Sequence, residues 1–103
     1  MNIPIGSYPT NDPLPPPTPL PAMAGQRVFY SLTISDCEGI DRRRKASAHD
    51  TGSPAQPGMI FPALITVVNA DGTVNLQVYP DGNHTHWATN VPKGSEQGEW
   101  RRA

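Results

Sequence analysis

Gly58–Gly82, GMIFPALITVVNADGTVNLQVYPDG, decides the reading of this chain. Two apolar runs flank one turn, and a second turn closes the stretch. Val74, Leu76 and Val78 alternate with Thr73, Asn75, Gln77 and Tyr79, the period of a strand buried on one face. Phe61 to Val68 is apolar at nearly every position and rich in β-branched residues, which predicts a central strand. Between them, Asn69-Ala70-Asp71-Gly72 suits a type I turn followed by Gly72 in the left-handed conformation. That register sets Asn69 opposite Thr73, and Val68 and Leu64 beside Val74 and Val78. A two-residue Asp71-Gly72 turn would slip the register by one and bring Val67 and Ile65 inward. The three-residue loop is preferred, because Asn is followed three positions later by Gly. Two strands alone are marginal in water, so this hairpin needs a partner surface from the rest of the chain or from another protein.

The 103 residues are enough for one small domain. A net charge of -1 gives no global sign of nucleic-acid binding. Cys37 is the lone cysteine, which excludes an internal disulfide and fits assembly in a reducing cytoplasm. No apolar run is long enough to span a membrane, and Met1-Asn2-Ile3-Pro4 is not the opening of a signal peptide.

Residues 1–25 differ in character from residues 26–103. Pro4, Pro9, Pro13, Pro15, Pro16, Pro17, Pro19 and Pro21 punctuate the first segment, and Asp12 is its one charged side chain. This proline density excludes helix and central strand and favours extended polyproline II. Such an arm would reach roughly 60 Å at ~3.1 Å per residue. It reads either as a spacer or as an arm laid across a neighbouring subunit, anchored by Ile3, Ile5, Tyr8, Leu14 and Leu20. The PxxP spacings Pro13–Pro16 and Pro16–Pro19 also fit SH3 ligands, a weak signal in so much proline.

After Gly25, the segment Gln26 to Thr33 alternates as a strand, with Val28, Tyr30 and Leu32 on one face and Phe29 on the other. Ser35-Asp36-Cys37-Glu38 has the form of a capping box and predicts a short helix from about Asp36 to Lys45 or Ala46. Acids at its start and Arg42, Arg43, Arg44 and Lys45 at its end suit the macrodipole. That basic run is a solvated helix end or a salt-bridging surface for an acidic partner subunit. Nucleic acid is a weaker reading, because no aromatics are interleaved. Ser47 to Pro57 is a loop. His84 to Val91 predicts a further strand with Thr85, Trp87, Thr89 and Val91 on one face, and Glu99-Trp100-Arg101 a last short one with Trp100 closing the core.

His84 and His86 share a strand face, a minimal fragment of a zinc site that His49 would extend. No third and fourth ligand are spaced to match, and a polar, exposed face is the better explanation. Cys37 has no His or Asp scaffold around it in sequence. Nucleophile elbow, phosphate loop, paired carboxylates and nucleotide glycines are all missing. The expectation is therefore no enzyme, no metal and no cofactor.

Several segments together resemble a family of small proteins encoded by tailed bacteriophages. They are Ser35-Asp36-Cys37-Glu38-Gly39-Ile40-Asp41-Arg42-Arg43-Arg44, Phe61-Pro62-Ala63-Leu64-Ile65, Val74-Asn75-Leu76-Gln77-Val78 with Asp81-Gly82, Trp87-Ala88-Thr89-Asn90-Val91, and Gly98-Glu99-Trp100. The likeness covers roughly residues 27 to 100 and leaves out the arm. It departs at Arg101-Arg102-Ala103, where a further aromatic and a proline are expected, and in a shorter Ser47–Gly58 loop. The resemblance carries no catalytic residues. It implies a virion or virus-encoded accessory protein, assembled in the host cytoplasm.

The expected fold is mainly β: a small antiparallel SH3-like barrel or sandwich of about five strands, with one short helix and the proline-rich arm. The expected role is a capsid decoration (cement) protein that docks on the major capsid protein or other virion subunits through arm and barrel, and self-associates on the particle. The alternatives are a neck or tail component, or an adaptor binding a peptide or nucleic acid on the barrel face near Tyr79, His84, His86 and Trp87.

Overall fold

The computed structural model describes residues 21–47, 52–82 and 84–103. It is mainly β, one antiparallel five-stranded sheet with one helix. The arm anchors Ile3, Ile5, Tyr8, Leu14 and Leu20, and also His49, lie outside the described residues.

In chain order the elements are β1 (Arg27–Ser31), α1 (Ile34–Ala46), β2 (Ile60–Val68), β3 (Val74–Val78), β4 (His86–Val91) and β5 (Trp100–Arg102). The sheet order is β4-β3-β2-β1-β5, so the chain from β2 to β4 meanders, and the last strand returns to the free edge of β1. As the run of apolar residues predicts, β2 is central. The alternation in β1 and β3 also holds: Val28, Leu32, Val74, Leu76 and Val78 are fully buried, Tyr30 nearly so. With Ile65, Ala63, Ile40, Cys37, Ala88, Val91 and Trp100 they make one core.

The turn forms as its residues require. Asn69 N–H donates to the Thr73 carbonyl at 2.8 Å, Gly72 N–H to the Asn69 carbonyl at 3.0 Å, and Gly72 has φ +90°. Val68 faces Val74 as expected. Farther along, the register departs from the expectation. A bulge between Ile65 and Val67 places Ile65 opposite Leu76 and Ala63 opposite Val78, so Ile65 and Ala63 point inward and Leu64 faces Gln77 on the outer side. A second irregularity lies across the same residue of β3, where Val74 pairs with Val91 but Leu76 pairs with Ala88. Asn90 takes φ +54° there, and its N–H donates to Asn75 Oδ1 at 3.1 Å. Asn75 therefore stands where both neighbouring strands carry an extra residue.

That second bulge corrects the reading of β4. His86, Ala88 and Val91 are buried, while Trp87 and Thr89 face outward, because one extra residue inverts the alternation before Val91. The helix also starts earlier than Ser35 predicts. Thr33 is the N-cap, its hydroxyl accepting from Asp36 N–H at 3.0 Å while the Asp36 carboxylate accepts from Thr33 N–H at 2.8 Å. Thr33-x-x-Asp36 and Ser35-x-x-Glu38 fit the same pattern, and contacts outside the helix select the first.

The expected barrel or sandwich is not seen in closed or two-sheet form: the described residues make one sheet, and it does not close. Among the described residues, the segment after β4 meets β5 through a single parallel bridge, Lys93 to Trp100, with Gly94 N–H donating to the Trp100 carbonyl at 2.8 Å and Trp100 N–H to the Pro92 carbonyl at 3.0 Å. Pro92 follows β4 directly and has no N–H to extend a ladder, and β5 is three residues long. The sheet stays open at that seam.

Candidate functional site

Asp36 is the hub of a polar cluster under the start of α1. Its Oδ2 accepts from Tyr30 O–H at 2.5 Å, from Thr33 N–H at 2.8 Å and from Thr33 O–H at 2.9 Å. Its Oδ1 lies 2.8 Å from His86 Nε2. On the far side of the ring, an Arg43 guanidinium nitrogen is 2.7 Å from His86 Nδ1. A guanidinium can only donate, so Nδ1 accepts, and Nε2 carries the proton given to Asp36. Burial raises the Asp36 carboxyl, but the hydrogen bonds from His86, Thr33 and Tyr30 outweigh it and hold the group well below the usual carboxylate range. Burial, with the adjacent Asp36 carboxylate, pushes the Tyr30 phenol well above its ordinary value.

Chemically this cluster binds the fold together. Both ring nitrogens of His86 are occupied by side chains of the helix, so neither is open to a substrate. Cys37, the next residue, is buried, and burial followed by neighbouring carboxylates raises its thiol pKa, the reverse of an activated nucleophile. Among the described residues no group of three or more His, Cys, Asp or Glu is placed to hold a metal ion. The expectation that His86 lies on an exposed polar face is overturned, because His86 is 8% exposed. His84 and Thr85 are exposed.

The basic run divides. Arg43 reaches His86, and Arg44 donates to the backbone carbonyls of Ser53 and Asp81. Asp81 in turn accepts from Ser53 N–H at 3.1 Å and Ser53 O–H at 2.7 Å. Gly52 is required at this junction, since a Cβ there would stand 2.1 Å from the Asp81 carbonyl oxygen. Arg42 and Lys45 are exposed on the helix surface.

The outward face of the sheet has a different character. By strand alternation and register it carries Arg27 and Phe29 from β1, Ile60, Pro62, Leu64 and Val67 from β2, Gln77 from β3, Trp87 from β4 and Arg101 from β5. Tyr79 continues β3, with its N–H bonded to the Pro62 carbonyl at 2.9 Å. Trp87 is 61% exposed, Val67 47%, Ile60 45% and Tyr79 45%. No Asp, Glu or Lys stands among these positions, and a carboxylate borders them at the β5 edge, where Glu99 lines a hollow with Phe29, Ile60 and Arg101. An aromatic- and arginine-rich patch depleted of other charges has the composition of a protein interface. Tyr79 was legible as a face residue from the alternation of β3; Ile60, Val67 and Trp87 were not, because their side depends on the two bulges.

No protein-family model, curated protein or solved structure matches the chain.

Proposed function

We propose that the protein is a structural, protein-binding subunit of a tailed-phage virion, a capsid decoration (cement) protein that attaches through its N-terminal arm and through its small β domain. The fold reading that goes with it is an open SH3-like barrel, supported by a meander whose last strand returns to the first. One observation carries the functional reading: four large apolar side chains, Ile60, Val67, Tyr79 and Trp87, stand exposed together on one sheet face. Patches of this kind mark sites of protein contact. The tailed-phage setting is supported by the resemblance of the Ser35–Arg44, Phe61–Ile65, Val74–Val78 and Trp87–Val91 segments. The partners are the major capsid protein or other virion subunits, and the place of action is the particle.

A quantitative mass-spectrometric inventory of purified particles tests this. A decoration protein is present in copy numbers comparable with the shell subunit. A few copies per particle would place it at the neck or tail, and none would overturn the virion role in favour of an adaptor.

A further inference from the structure

We propose that the outward sheet face pairs with the same face of a second copy, β2 against β2 across a twofold axis. The face is divided in a way that suits such a pair. Ile60, Pro62 and Leu64 run down its middle on β2, Tyr79 and Trp87 lie on the β3–β4 side, and Arg27 and Arg101 lie on the β1–β5 side. A twofold axis running along β2 exchanges the two sides. It stacks the apolar strip on itself and lays the arginines of each copy over the aromatics of the other.

Charge complementarity selects this occupant. The Arg27 and Arg101 side chains are exposed, and neither forms a hydrogen bond or ion pair among the described residues. The carboxylate beside Arg101, Glu99 at the β5 edge, accepts from Glu96 N–H at 2.9 Å and forms no ion pair with Arg101; at its opposite side the face offers the π faces of Tyr79 and Trp87, which attract a guanidinium. The same axis keeps the arginines of the two copies apart. Two sheets stacked this way pack about 10 Å apart, a distance that side chains of this size fill. An isologous contact of this kind closes after two copies and does not propagate. The inference rests on reading the face as a protein-binding surface. Its test needs no particle, so it fails separately from the virion role.

Sedimentation of the full-length chain over a concentration series should show a reversible monomer–dimer equilibrium. Trp87→Ala and Arg101→Ala, both at exposed positions, should retain the wild-type circular dichroism spectrum and each weaken the dimer by about three- to thirty-fold, with the double variant less than additive. In a Cys37→Ala background, Pro62→Cys near the axis should oxidise to a cross-linked dimer faster than Glu38→Cys on the helix. A chain that stays monomeric at every concentration overturns the proposal. So does a dimer indifferent to both substitutions, or a monomer whose Trp87 emission is quenched by a single-stranded oligonucleotide or by a polyglutamate peptide.

Discussion

His86 Nε2 lies 2.8 Å from Asp36 Oδ1, joining residues fifty positions apart and fastening the first turn of α1 to β4. The same carboxylate completes the helix cap and receives the Tyr30 hydroxyl, so one side chain serves local and tertiary structure together. The surfaces left over are the sheet face and the exposed basic residues, and these are where partner contacts are expected.

Stability should fall at both ends of the pH scale through this cluster. The Asp36 carboxyl is held below its ordinary value, so its contribution is present above the unfolded carboxylate pKa of about 4 and is lost as pH falls below it. The Tyr30 phenol is held above its ordinary value, so its contribution is present below about pH 10 and is lost as pH rises beyond. Urea midpoints measured across pH should decline on both limbs. Asp36→Asn should flatten the acid limb and Tyr30→Phe the alkaline one; unchanged limbs would show that the cluster is not formed.

Leu76→Ala should cost about 2–5 kcal/mol, because Leu76 is fully buried at the middle of β3 between Ile65 and Ala88. For so small a domain this is a large share of the whole stability. Chemical denaturation of the purified variant checks it, and a wild-type midpoint would place Leu76 outside the core.

The arginine triplet should separate by position. Arg43→Gln and Arg44→Gln each remove intrachain hydrogen bonds and should lower stability by about 0.5–1.5 kcal/mol. Hydrogen exchange should quicken around Ser53 and Asp81 in the second. Replacing Arg42 and Lys45 with Gln should leave melting unchanged while weakening particle association and its dependence on salt. Loss of stability in that double variant would contradict the assignment.

Removing residues 1–20 should leave the domain intact and abolish or sharply weaken capsid binding. Ala22, which packs on the core, and Gly25, whose N–H bonds the Ile65 carbonyl at 2.7 Å, are retained in that truncation. Anchors such as Tyr8 and Leu14 contribute roughly 1.5–3 kcal/mol each if buried on a partner. Particles decorated as tightly by the truncated chain would assign attachment to the sheet instead.

What the sequence determined alone was whatever depends on near neighbours. Period-two alternation in Val28–Leu32 and Val74–Val78, the Asn69–Gly72 turn and the proline punctuation of the arm are local signals, and the two strand faces and the turn appear as read. The choices left to tertiary structure were those in which local patterns were degenerate. Two capping boxes fit the start of α1, and Tyr30 and His86 favoured Asp36 over Glu38 by giving its carboxylate partners that Glu38 does not have. Alternation alone places His86 outside and Trp87 inside. One extra residue at Asn90, held by Asn75 from the neighbouring strand, reverses them, because a strand's side chains change face with every residue added.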